Sequence, residues 1–167
     1  MKDTMSALPI PSIVMSTAPV DIAVFSKNRR PILIVDVKGG NACSTVEFAT
    51  GVRSGLLKHR LLPDAPFFML ATSTQIFLWR GDADPDAHAN YSGTTEPILD
   101  VYTLRRTNRD RAAIRSGSLE IVMFFWLSDV ADGVLTLSPD SEVQRMLLES
   151  GVYEQIQGGA ADFDVQL

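Results

Sequence analysis

The sequence predicts a mixed α+β fold, with strands and one helix in the first half and helices in the second. Three observations lead there. Two β-branched-rich runs flank a short polar turn near the start, and a segment with helical spacing follows them. A second apolar hairpin comes next, and beyond it the periodicity turns helical. The 167 residues amount to about one domain, and 46% hydrophobic with 21% charged residues is ordinary globular composition. A single domain over 1–167 is the expectation, with a core in residues 10–80, a mainly helical cover over 81–157 and a frayed tail over 158–167.

Element by element, Ile10 to Ser16 is short, apolar and flanked by proline, which suits an edge strand. Val20 to Phe25 and Pro31 to Lys38 pair across the turn Ser26-Lys27-Asn28-Arg29-Arg30, and Gly39-Gly40-Asn41 ends the second strand. Ser44 to Arg60 is the helix, with Val46, Ala49, Val52, Leu56 and Leu57 as its apolar stripe and Pro63 and Pro66 stopping it. Phe67 to Thr72 and Gln75 to Trp79 form the second hairpin, and Gly81 to Gly93 reads as a polar loop. Helices are expected over Glu96 to Arg106, Asp110 to Arg115, Leu119 to Val130 and Asp140 to Ile156, the last broken at Gly151.

Charge and cysteine usage remove several functions. The lone cysteine excludes an internal disulfide and a CxxC…CxxC zinc site. The net charge of −5 removes the signature of a globally basic nucleic-acid binder. The charge is uneven, however: +4 over Met1 to Arg80 and −9 over Gly81 to Leu167. Such asymmetry fits a first half that handles an anion, and equally a surface that is uneven by chance. Pro9 and Pro11 interrupt any signal-peptide core, and the longest apolar run, Ile121 to Leu127, falls far short of the roughly 20 residues of a spanning helix. Asn90-Tyr91-Ser92 is read as a chance glycosylation match, and the cytoplasm is the expected location.

The chemistry concentrates in the first hairpin. With the turn centred between Asn28 and Arg29, Phe25 faces Ile32, Ala23 faces Ile34, and Asp21 faces Asp36. Alternation sets Asp36 and Lys38 on one sheet face. Like charges opposed across a strand pair are destabilising unless something positive sits between them. Lys38 is one such group and a divalent cation is another. The alternative is that both aspartates end their strands facing solvent, with Lys38 paired to one of them.

Pro19-Val20-Asp21, a strand, a turn, and then Ile34-Val35-Asp36-Val37-Lys38 resembles the PD-(D/E)xK nuclease superfamily, in particular the N-terminal nuclease domain of type I restriction enzyme R subunits. The likeness covers roughly Ile10 to Arg80. It implies a restriction-endonuclease-like central sheet flanked by helices. It also implies a metal-dependent nuclease, acting on DNA in restriction or repair, with Asp21, Asp36 and Lys38 as catalytic residues. Mg²⁺ or Mn²⁺ would be bound by Asp21, Asp36 and the carbonyl of Val37, and Lys38 would orient the attacking water. Residues before Asp21 offer only Asp3 as a helix acid, so Glu47 stands as the candidate third acid. Cutting both strands would use two such sites, which makes a homodimer or a larger restriction-type complex the expected assembly. The alternative function is a catalytically inactive module of the same fold, serving binding or assembly.

Other clusters carry less. Arg105, Arg106 and Arg109, in a run that continues to Arg111 and Arg115, suit phosphate contacts, or else a solvated helix balancing Asp100 and Asp110. Lys58, His59 and Arg60 suit the dipole at a helix C-terminus and could also touch a nucleic-acid strand. Asp82, Asp84, Asp86 and His88 fail the EF-hand pattern, and Gly39-Gly40 lacks the nucleotide-loop motifs. Cys43 is read as packing, and Phe124, Phe125 and Trp126 as core or a partner surface.

Overall fold

The computed structural model describes residues 20–40, 43–102 and 116–167. The first hairpin pairs β1 (Val20–Phe25) with β2 (Pro31–Lys38), and α1 (Val46–Lys58) follows. Next come β3 (Phe67–Thr72), β4 (Gln75–Arg80) and β5 (Tyr91–Thr94). The helices α2 (Glu96–Tyr102), α3 (Ser116–Ala131), α4 (Glu142–Ser150) and α5 (Val152–Ile156) lead to a last strand, β6 (Ala160–Val165). The six strands form one mixed sheet in the order β5-β4-β3-β2-β1-β6. Only β2 and β3 run parallel, and α1 connects them.

The hairpin has the expected register. Ile22 faces Val35, Ala23 faces Ile34 and Val24 faces Leu33. The register shifts at the turn, where Phe25 faces Pro31 instead of Ile32, and Arg29 takes a left-handed φ of 63°. Central β3 is buried along its whole length and reads as an unbroken apolar run, as expected of a strand covered on both faces. One face packs Ile22, Val24, Leu33, Val35 and Met69 against helices of the second half. The other packs Ala23, Ile34, Phe68, Leu70, Phe77 and Trp79 against α1.

Three expectations need correction. Residues 160–165 are not a frayed tail: β6 pairs antiparallel with β1, from Val20↔Val165 to Phe25↔Ala160. Gly159, just before β6, lies so close to the carbonyl of Phe25 that any side chain there would collide with it. The sheet therefore draws strands from both halves, and it is not confined to residues 10–80. The expected polar loop over 81–93 is shorter, because Tyr91–Thr94 joins β4 as a strand. Finally, the stripe of α1 is altered at two places: Ala49, Val52 and Leu56 pack on the sheet as expected, but Val46 is exposed at 38%, while Arg53 is buried at 1%. Ile10 to Ser16, Asp110 to Arg115 and the arginines Arg105, Arg106 and Arg109 lie outside the described residues.

Candidate active site

Thr45 caps α1, its hydroxyl accepting from the Phe48 amide at 3.1 Å, and Lys58 supplies the basic residue of the last turn. Arg60 closes the helix with a left-handed φ of 55°, so the chain turns at once into Leu61-Leu62-Pro63. That turn and Leu56 form one wall of a cavity of about 210 Å³. Asp21, Asp36, Lys38 and the neighbouring strand residues of β1 and β2 form its floor.

Within the floor the hairpin opens. Past the Ile22–Val35 pair, the amide of Val37 donates to Oδ2 of Asp21 at 2.8 Å. A side-chain carboxylate thus takes a place that a backbone carbonyl would hold in a continued ladder. A residue of an antiparallel pair turns its N–H and C=O toward the same edge, so the Val37 carbonyl faces this opening too. Lys38 Nζ lies 3.2 Å from Oδ1 of Asp36. The structure brings Asp21, Asp36 and Lys38 together at the open end of the hairpin, in a cavity that Leu56 of α1 also lines.

Oδ2 of Asp36 is buried and accepts no hydrogen bond among the described residues. Burial pushes the Asp36 carboxyl above its ordinary pKa; Lys38 opposes this, and the adjacent Asp21 carboxylate adds to the rise. Protonated, Asp36 has an acceptor in Asp21; ionised, its inner oxygen has no donor. The inner Asp36 oxygen, beside a second carboxylate, is thus a place that a positive charge would stabilise.

Glu47 is not brought to this pair. It stands exposed in the first turn of α1, whereas the other end of that helix walls the cavity. Another acid comes nearer from an unexpected direction. Glu120 on α3 is half-buried, and its carboxyl is raised by burial and then by the charges of Asp21 and Asp164. Helix α3 packs on β1 and β6 from the face opposite α1, yet the charge of Asp21 reaches it. Among the described residues no three acids, histidines or cysteines sit together at metal-ligand spacing.

A larger, shallow depression of about 620 Å³ lies between Asp64–Phe67 and Arg80–Asp82. It holds no paired carboxylates beside a lysine. Cys43 is exposed, and its thiol is lowered by its contacts with Thr45. Phe124 stacks on Phe163 at 4.0 Å, against the core. Asp82, Asp84 and Asp86 belong to a loop fastened by Arg53, Ser54 and Trp79. No helix among the described residues is long and apolar enough to cross a membrane. Compared with protein-family models, curated proteins and solved structures, the chain matches none.

Proposed function

We propose that this chain is a metal-dependent nuclease that hydrolyses phosphodiester bonds in DNA. The reading rests on the Asp21–Asp36 pair with Lys38 3.2 Å from Asp36 and an inner Asp36 oxygen left without a donor. That orphaned oxygen suits a cation, so the donor set fits Mg²⁺ or Mn²⁺ held by Asp21, Asp36 and the Val37 carbonyl. When bound, such an ion supplies charge stabilisation at the phosphate and an acidified water.

The chain's own residues would do the rest. Lys38 would bind a non-bridging phosphate oxygen and orient the attacking water, exchanging part of its pairing with Asp36 for the substrate. Arg105, Arg106 and Arg109, in the segment leading to α3, would contact the phosphate backbone. A cytoplasmic location and a homodimer or larger restriction-type complex belong to the same reading.

The test is nicking of supercoiled plasmid with Mg²⁺ or Mn²⁺. Asp36→Ala and Lys38→Ala should each lower the rate by about a hundredfold or more. Cutting that survives both substitutions would place the chemistry elsewhere.

A second reading is an inactive module of nuclease type. It is favoured by the internal pairing of the site, with Lys38 on Asp36 and the Val37 amide on Asp21. No cutting, with no metal-dependent rise in melting temperature, would select it.

A further inference from the structure

One wall of the cavity beside the carboxylates is apolar, which hydrolysis of a phosphate does not by itself require. Leu56, Leu61, Leu62, Pro63 and Phe68 face the same space as Asp21, Asp36 and Lys38. Leu61 is 41% exposed among the described residues. Lys58, His59 and Arg60 occupy the exposed turn between Leu56 and Leu61, next in the chain to the apolar wall. Arg60 is held there in a left-handed conformation that glycine would adopt without strain.

We propose that this cavity receives one unstacked base of the strand being cut, and that the substrate is single-stranded or frayed DNA. The proposal rests on the nuclease reading and names its substrate. Size points the same way. About 210 Å³ is below the roughly 300–1,000 Å³ of pockets for drug-sized ligands, and suits a single ring system. A flat base face has apolar partners in Leu61, Leu62 and Pro63, with Phe68 at the back. For the adjoining phosphates, Lys38 lies in the cavity and Lys58 and Arg60 stand exposed in the turn just before Leu61. A base in a duplex would first have to leave its stack and its pair, whereas an unpaired base enters without that cost.

The experiment has a cleavage arm and a binding arm. In the first, single-stranded oligonucleotides with Mn²⁺ are compared with the same sequence as a duplex and with strands carrying one abasic position scanned along the chain. Wild type should cut the single strand about tenfold faster than the duplex, and one abasic position should slow cutting by a similar factor. Leu61→Asp should remove the response to the abasic position. In the second arm, Asp36→Asn protein is titrated into strands carrying 2-aminopurine, whose fluorescence rises when the base leaves its neighbours. Brightening at one position, lost when Leu61→Asp is added, is the expected result. Equal cutting of abasic and intact strands, or binding without brightening, overturns the proposal even if the plasmid is nicked. If nothing is cut, the binding arm alone decides it. Because Leu61 is exposed, folding of its variant is verified by an unchanged melting temperature, and Leu62→Ala is the second variant, expected to weaken brightening in the same way.

Discussion

Arg53 and Asp36 are both charges drawn into the interior, and the fold treats them differently. Arg53, 1% exposed on α1, donates to the carbonyls of Ala83 and Asp84 at 2.9 and 2.8 Å and lies over the Trp79 ring. Its surroundings are closed, and its task is to fasten the loop after β4. Asp36 has one oxygen on Lys38 and the other without a donor, and it opens into a cavity. Burial disfavours the charged form of both, lowering the arginine and raising the aspartate. Arginine starts so high that it keeps its proton near neutrality, and backbone carbonyls accept from its two terminal nitrogens, while its Nε has no acceptor among the described residues. The aspartate sits in a place where its charge is awkward, as is common where a protein keeps a site ready for chemistry.

The sharpest way to break this contrast is to remove Arg53. Arg53→Met fills similar space but strands two carbonyls, at a cost of about 3 kcal/mol. Thermal unfolding should then fall by roughly 6–12 °C for a chain of this size. Arg53→Lys, which keeps the charge and loses the fork, should fall between the two. Metal-dependent behaviour at Asp36 should be unchanged in both. A variant that lost metal response along with stability would show the two charges to be one system.

Metal addition comes next in size. At about a hundredfold excess over the dissociation constant, a bound ion stabilises by about 2.7 kcal/mol, which is roughly 5–11 °C. Melting with Mn²⁺ should show a gain of that order in wild type and none in Asp36→Asn. The gain should grow as pH rises through the elevated Asp36 pKa, because the ion and the proton compete for one carboxylate.

How legible these two charges were differs for a physical reason. Asp36 and Lys38 were placed by rules that operate within a few residues: a short turn fixes register, and alternation fixes the face. The pairing of Ile22 with Val35 follows from the same rules, and so does the convergence of Asp21 on Asp36. Arg53 was not legible, because its partners lie in a loop thirty residues further on. Glu120 was hidden in the same way, on a helix from the other half of the chain that packs on β1. The strand β6 was missed because Ala160-Ala161-Asp162 after two glycines carries little strand propensity; pairing with β1 supplies what the local sequence lacks.

Asp36→Asn tests the Asp36 half of the contrast without metal. In the fold the neutral form of Asp36 is favoured, so its contribution is fully present below the unfolded value near 3.8 and is lost as pH rises through the folded pKa. An amide cannot ionise, so near neutral pH the variant should be the more stable by about 1 kcal/mol, or roughly 2–4 °C. The advantage should vanish below the unfolded value. A variant less stable than wild type at neutral pH would mean that the Lys38 pairing outweighs burial.

The finest test asks whether the two aspartates are coupled. Asp21→Asn keeps an oxygen that can accept from the Val37 amide, so the opening of the hairpin should survive. It removes the negative charge beside Asp36 and can offer an N–H to the orphaned oxygen. Both changes favour ionised Asp36, whereas burial still opposes it. The Asp36 carboxyl resonance, followed by carbon NMR through a pH titration, should therefore move at lower pH in the variant than in wild type. An unmoved titration would mean that the proton on Asp36 is held by burial alone. The pair would then have no shared position for a cation to take over, and the two carboxylates would be neighbours without being a site.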